Sequence, residues 1–286
     1  MPAEKCKYKT IISIVLAITV LWAATMSALF FLHLKSERDY RANEGLGIYI
    51  CGVPVTRKNA YDVFGDGTVS YDLGSNMLMF SNATLESDGS AVVFVEKDLT
   101  IVLDGNNKFI CNGPESSVGV YASDFMLRKD VCFLGGGTLT IENKENADGI
   151  VAAIVADDVW LYSNVSISLS AVAEESVGIE CGHLYVMEDN VVTVKLDSEG
   201  KTNGIFASGN ISLLKNSSLD VINTSKAKNS RAIECTGSFM ASEGSTLSAD
   251  LAADDAAIFC HSAFVDYDAT VNSTIDAIGG MRNEAN

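Results

Sequence analysis

Three aromatic and two acidic residues recur along the chain at intervals that would align them on one surface. They are Tyr121, Glu180, Phe206, Glu234 and Phe259, and the last four are separated by 26, 28 and 25 residues. Aromatic rings stack on the C–H faces of sugars, and carboxylates accept hydrogen bonds from sugar hydroxyls. These residue types therefore favour binding of a polysaccharide, provided that a repeated fold brings them together.

Two carboxylates in one row also raise the question of catalysis. Glycoside hydrolases use a pair of carboxyl groups at a defined separation, and Glu180 and Glu234 would lie two repeats apart, roughly 9.6 Å at the spacing of β-strands. Phe206 would stand between them, and the row offers no basic residue of the kind that a uronate lyase needs. We expect a non-catalytic protein, with a hydrolase or lyase as an alternative.

The element that must position these residues is a short repeat. Gly or Ala, then Val or Ile, any residue and a small residue recur at intervals of 25 to 30 residues. Each unit holds two further strand-like stretches, which predicts an all-β, single-stranded parallel β-helix with three strands per coil and about seven coils. Parallel crossovers favour a right-handed helix. The repeats open at Ala91, Gly119, Gly149, Gly178, Gly204, Ala232 and Ala257.

Period-2 alternation assigns the two faces of the first strand in each coil. The inward positions are small after the first coil, which predicts a narrow core: Phe94, Ala122, Ala152, Cys181, Ala207, Cys235 and Cys260. The outward positions contain the candidate residues: Val93, Tyr121, Val151, Glu180, Phe206, Glu234 and Phe259.

A second set of outward residues is apolar, which is unusual for a solvated surface. On the second strand of each coil the predicted outward residues are Trp160, Val186, Met240 and Phe264, with Tyr162 and Leu214 one step on, while Tyr185 is predicted to face inward. A glycan platform, a protein interface and a face covered by a loop all remain open. Trp160 and Phe264 join the five residues above as candidate ligand-binding residues.

A ladder of turn-forming residues before the third strand fixes this register. Gly, Asn and Asp tolerate left-handed backbone geometry, and stacked Asn side chains can bond from coil to coil. The ladder comprises Gly137, Asn164, Asn190, Asn216, Gly244 and Asp268.

In this register the cysteines and the acidic pairs are explained by structural roles and not by a reactive or metal site. Cys181, Cys235 and Cys260 alternate with Ala at one core position, which favours buried free thiols. Cys235 and Cys260, on adjacent coils, are the pair that could form a disulfide bond. The acidic pairs Asp157-Asp158, Glu188-Asp189, Asp254-Asp255 and Asp266 with Asp268 are expected to be solvated turn charges. We therefore expect no cofactor from the residues themselves.

The N-terminal segment predicts a membrane anchor. Residues 10–32 are uncharged over 23 positions, long enough to span a bilayer, and Lys5, Lys7 and Lys9 precede them, which favours a cytoplasmic N-terminus. We predict a cytoplasmic segment at 1–9, a signal anchor at 10–34, a linker at 35–46, an N-terminal cap at 47–90, coils at 91–280 and a tail at 281–286. Secretion after cleavage is the alternative.

Charge excludes one class of partner. The chain carries 20 Lys and Arg against 37 Asp and Glu, a formal net charge of −17. Such a chain repels phosphate backbones, so we expect no nucleic-acid ligand. A polysaccharide or a cell-surface protein is the expected partner, and the oligomeric state is left open.

Several motifs resemble secreted bacterial carbohydrate-binding domain proteins that form parallel β-helices. They are GDGTVSYD at 65–72, SNATL at 81–85 and GIFASGNISL at 204–213, and the resemblance spans nearly the whole exported part. It implies a β-helix at the cell surface. It also implies binding of acidic plant polysaccharide or cellulose with dependence on calcium.

Overall fold

The computed structural model describes residues 43–284 except 90, 115–116, 125, 144–149, 170–172, 174, 199, 253–255 and 279–280. The chain divides into two compact units. One comprises Gly45–Val55 and Asn59–Asn286, and the other, Met1–Glu44 with Thr56–Lys58, lies almost wholly outside the described residues. The first of these units is an all-β parallel solenoid of about seven turns, which confirms the predicted architecture.

Strands are numbered β1 to β26 in chain order, and the N-terminal ones form a cap. β1 (Gly45–Ile50) runs antiparallel to the first strand of the solenoid, and β2 (Val53–Thr56) follows it. β3 (Val69–Asp72) forms an antiparallel hairpin with β4 (Met77–Ser81). The antiparallel pairings close the N-terminal edge, because they leave fewer backbone groups open there.

Three ladders of parallel strands form the solenoid. The first-ladder strands are β6 (Ala91–Val95), β9 (Ser117–Ala122), β12 (Ile150–Val155), β15 (Glu175–Cys181), β18 (Lys201–Ala207), β21 (Arg231–Ala241), β23 (Ile258–Asp266) and β25 (Ile275–Ala277).

The second ladder belongs to the same sheet of 18 strands as the first. β21 and β23 run through both ladders, with a register shift between Cys235 and Ser238. Besides β4, β21 and β23, the second-ladder strands are β7 (Leu99–Asp104), β10 (Val131–Leu134), β13 (Val159–Leu161), β16 (Leu184–Val186), β19 (Ile211–Leu213) and β26 (Met281–Glu284).

The third ladder is a separate sheet of 8 strands. Its alternating burial places Val and Leu inside and Ser, Thr and Lys outside, as the period of a strand requires. Its strands are β5 (Thr84–Ser87), β8 (Asn106–Cys111), β11 (Thr138–Asn143), β14 (Asn164–Leu169), β17 (Val191–Leu196), β20 (Ser218–Asn223), β22 (Thr246–Leu251) and β24 (Thr270–Asn272).

The core between the ladders is narrow where the first ladder faces it. The small inward row is confirmed from the second coil on except in the third coil, where Ala156 replaces the predicted Ala152. All its members are fully buried: Ala122, Ala156, Cys181, Ala207, Cys235 and Cys260. The three cysteines are free thiols. Burial raises the pKa of the Cys181 thiol, which suits a packing role rather than a reactive one.

Two coils of the predicted first-ladder register are wrong. Val95, not Phe94, pairs with Ala122, and Val155, not Val151, pairs with Glu180. The second error arises because Gly149-Ile-Val-Ala and Ala153-Ile-Val-Ala both match the repeat pattern. Consequently Val93 and Val151 are buried, and Phe94 and Val155 take their places in the outward row.

Candidate binding surface

The five residues predicted for the first-ladder surface share one outward row. Register pairings run from Phe94 through Tyr121, Val155, Glu180, Phe206 and Glu234 to Phe259, one residue per coil. We call this set the first-ladder row. Tyr121 is 36% exposed, and Glu180, Phe206, Glu234 and Phe259 are half-buried.

An ion pair divides the first-ladder row into two patches. Arg128 follows β9 in a loop, and its guanidinium contacts Glu180, two coils further on. The intervening coil holds Val155, which is only 5% exposed. The first-ladder row therefore consists of two separate surfaces rather than one continuous groove.

The N-terminal patch is an aromatic stack. The ring centroids of Tyr49 and Phe94 are 5.8 Å apart, and those of Phe94 and Tyr121 are 5.7 Å apart with planes inclined at 24°. Stacking of neighbouring rings stabilises adjacent strands, and it covers faces that a ligand would otherwise use.

The C-terminal patch alternates carboxylates and aromatic rings on consecutive strands. Glu180, Phe206, Glu234 and Phe259 follow one another from β15 to β23. The amide of Asn203 donates to Glu234 Oε2 at 3.3 Å. The Arg231 guanidinium lies 5.5 Å from the centroid of the Phe259 ring.

Sequence reasoning missed the three polar partners in this row. Arg128 comes from a loop whose path no repeat pattern predicts, while Asn203 and Arg231 precede the repeat motif on their strands. In that loop, a bond from Lys129 is the main cause that lowers the pKa of Asp124 to about 2, and the amides of Met126 and Leu127 add to it. These bonds stabilise the loop next to Arg128, whose guanidinium contacts Glu180.

Trp160 and Phe264 lie outward on the second ladder, four strands apart in one row. That row continues from Trp160 through Tyr185, Ser212 and Met240 to Phe264. The prediction that Tyr185 faces inward and Val186 outward is wrong, because Leu184 and Val186 are the buried residues of β16. The Tyr185 ring instead stacks on Trp160, with centroids 5.5 Å apart and planes at 7°.

This error has a specific physical origin in the turn before the third ladder. The left-handed position is occupied by Asp189 (φ 60°), Asn216 (φ 57°) and Gly244 (φ 70°). The predicted ladder of turn residues contained Asn190, but the left-handed residue of this coil is Asp189, one position earlier. The predicted bonding between coils is present in part, since Asn164 Oδ1 accepts from the Val191 amide at 2.8 Å and Asn216 donates to Asp189 Oδ1 at 3.1 Å.

A side-chain ladder that the sequence did not reveal runs along the corner between the first two strands. Each member except the last accepts a hydrogen bond from the backbone amide of the next member, one coil on, at 2.8 to 3.1 Å. We call it the corner ladder. Its members are Asp98, Asp130, Asp158, His183, Asn210 and Ser238.

The corner ladder explains why several acidic residues recur at this corner. Their oxygens bind backbone amides, and among the described residues no group of three or more His, Cys, Asp or Glu side chains could hold a metal ion. The Asp254-Asp255 pair lies outside the described residues. Burial raises the pKa of Asp158, and the adjacent Asp130 carboxylate acts in the same direction.

Comparison with known proteins assigns the chain to no family. No protein-family model, curated protein or solved structure matches the chain. Among the described residues no helix is long and apolar enough to cross a membrane, and the predicted anchor at 10–34 lies outside them.

Proposed function

We propose that the solenoid is a non-catalytic, cell-surface polysaccharide-binding protein that uses the C-terminal patch of the first-ladder row. The observation that carries this proposal is the alternation of Glu180, Phe206, Glu234 and Phe259 on four consecutive strands. Rings and carboxylates at one per strand suit a linear ligand that crosses the coils, over roughly 14 Å at the strand spacing.

Charge favours a neutral polysaccharide as the ligand. Arg128 neutralises Glu180 in the patch, but the whole chain has a net charge of −17, so a polyuronate would be repelled at longer range. A divalent cation such as calcium would offset that repulsion, as the family resemblance implies. Calcium dependence is therefore expected for acidic ligands and not for neutral ones.

A glycan array probed with the full chain, with and without calcium, tests the proposal. Phe206→Ala should weaken binding at least about tenfold, as expected for loss of a central aromatic contact. Phe264→Ala is the matched control, because Phe264 is also a half-buried outward phenylalanine but lies on the second ladder. Equal loss in both variants, or no binding by a folded protein, would contradict the proposal.

The proposed location follows from the N-terminal segment. Residues 10–34 would anchor the solenoid outside the cell, with the N-terminus in the cytoplasm, and cleavage would instead release it. Protease treatment of intact cells should degrade the solenoid while leaving cytoplasmic markers intact.

A second candidate function is that of a surface adhesin or scaffold that binds a protein. It is favoured by one observation, the apolar outward face of the second ladder, where Tyr162 is 42% and Met240 39% exposed. The chemistry of the partner can be argued from the residues around that face.

A further inference from the structure

The outward face of the second ladder consists of two parallel rows of mostly apolar side chains. The first row comprises Met77, Thr100, Cys132, Trp160, Tyr185, Ser212, Met240 and Phe264. The second row, two residues on, comprises Met79, Val102, Leu134, Tyr162, Met187 and Leu214. We call the two rows together the apolar strip.

The apolar strip is not accounted for by the solenoid's own packing. In a sheet with one solvated face, outward residues are normally polar, yet the inward residues of these strands already form the core. Tyr162 and Met240 are 42% and 39% exposed, and Met79 is 42% exposed at the N-terminal end. Contiguous apolar surface of this kind marks an interaction site.

A pocket lies at the C-terminal end of the apolar strip. It has a volume of about 280 Å³ and is lined by Met240, Phe264 and Val265 together with the polar residues Ser242 and Asp266. An apolar side chain inserted there would have a carboxylate at its edge. That combination suits a partner segment in which an apolar side chain fills the pocket and an adjacent cationic side chain contacts the carboxylate.

Both borders of the apolar strip are acidic. On the side of the first ladder lie Asp98, Asp130, Asp157 and Asp158, and on the side of the third ladder lie Asp104, Glu188, Asp189, Glu243, Asp266 and Asp268. The lysines at these corners are fewer, and two of them are already paired, Lys129 with Asp124 at 2.6 Å and Lys215 with Glu243 at 3.7 Å.

We propose that the apolar strip docks a cationic amphipathic segment of a protein partner, with an apolar ridge against Trp160 and Tyr162 and Lys or Arg side chains against the two acidic borders. Apolar grooves with charged rims bind amphipathic segments in this way. The inference gives the partner's chemistry for the second candidate function, and it does not depend on glycan binding by the first ladder.

The geometry favours this occupant over two others. Acidic borders repel the anionic headgroups of a membrane surface, and they attract a cationic segment but not an uncharged sugar chain. The strip crosses eight strands, or roughly 34 Å at the strand spacing. A partner helix of about 20 residues would match that length.

Fluorescence of Trp160 provides a direct test, since the chain has only 2 tryptophans. The full chain carrying Trp22→Phe retains Trp160 as its single indole, so its emission reports on the apolar strip alone. The probe is a synthetic 20-residue peptide of Leu and Lys with Leu at helical spacing, a length taken from the strip estimate of about 20 residues. We expect a saturable blue shift that weakens as salt is added.

Two tyrosines of similar exposure supply the test variant and its control. Tyr162→Ser on the apolar strip should weaken peptide binding at least about tenfold, whereas Tyr121→Ser on the first ladder, where Tyr121 is 36% exposed, should leave it unchanged. Glycan binding, if present, should be indifferent to Tyr162→Ser. Failure of one proposal is therefore distinguishable from failure of the other.

Four outcomes would overturn the inference. One is the absence of a shift in a protein that circular dichroism shows to be folded, and another is an equal shift with a peptide of Leu and Glu. A stronger shift with anionic phospholipid vesicles would identify a membrane surface instead. A shift that appears on concentrating the protein alone, and that Tyr162→Ser abolishes, would identify a second copy of the chain as the occupant.

Discussion

At the scale of single residues, several acidic side chains of the solenoid accept hydrogen bonds from the backbone. Asp158 and His183 illustrate this, because an oxygen of the first accepts from the amide of the second at 3.0 Å, and the ring Nδ1 of the second accepts from the Asn210 amide at 3.0 Å. These bonds satisfy amides at a corner where the strand ladders are interrupted. An amide oxygen does the same work as a carboxylate there, as Asn210 demonstrates.

Asp158→Asn should therefore stabilise the solenoid at neutral pH by a small amount. Asparagine keeps the acceptor oxygen and removes a charge that burial disfavours. Since folding raises the pKa of Asp158 above 3.8, this carboxyl stabilises the fold only at low pH, and that contribution is lost as the pH rises through the folded pKa. The advantage of Asp158→Asn should consequently shrink as the pH falls towards 3.8.

Urea unfolding from pH 3 to 8, a range chosen to bracket carboxyl titration, measures this difference. Asp157→Asn is the control, because Asp157 is the exposed neighbour outside the corner ladder. Equal gains in both variants at every pH would mean that the smaller negative net charge, and not relief of a partly buried carboxylate, causes the effect.

At the scale of elements, the closeness of first-ladder strands to the third ladder depends on small residues. Gly119 lies in β9, and a Cβ added there would lie 2.6 Å from the Ala153 carbonyl oxygen and 2.6 Å from Ile141 Cγ2. Both distances are too short for carbon in a packed interior. The glycine is therefore required by packing, not by backbone conformation.

Gly119→Ala should destabilise the solenoid by about 1 to 3 kcal/mol, the usual cost of overpacking. Gly136→Ala is the matched control, because a Cβ at Gly136 meets no atom within 4 Å. Midpoints of urea denaturation compare the two. If both variants unfold at the same urea concentration as the parent, the strands of the first coils can separate without loss, and the packing argument is wrong.

At the scale of the whole molecule, the two ends of the solenoid differ. β1 covers β6 at the N-terminal end, whereas among the described residues β24, β25 and β26 pair only with strands of the preceding coil. Ile278 is 70% exposed next to this open edge. Open edges with apolar side chains promote strand pairing between molecules.

The full chain should accordingly self-associate through its C-terminal edge as its concentration rises, and Ile278→Lys should suppress the association because charge at an edge blocks pairing. Sedimentation velocity at increasing concentrations measures it. Tyr267→Lys, a substitution at a residue 72% exposed but in a turn of the preceding coil, should leave association unchanged. A parent chain that stays monomeric would contradict the prediction.

Repeat patterns were enough to predict the solenoid, about seven coils and the common row of Tyr121, Glu180, Phe206, Glu234 and Phe259. They could do so because each coil repeats the same physical demand: small inward residues, alternating faces and a turn every 25 to 30 residues. Averaging over many coils makes such a pattern robust even when single coils deviate. Errors occurred where one coil offered two matches, as at Val151 and Val155.

The neighbours of the row residues could be assigned only once the coils were stacked in three dimensions. The pairing of Arg128 with Glu180, the corner ladder and the apolar strip's acidic borders join residues from different coils. Contacts between coils depend on register, and a left-handed residue at Asp189 instead of Asn190 moves Tyr185 from the core to the surface. A one-residue change of register reverses the face of a strand, so the surface is more sensitive to turn geometry than the fold is.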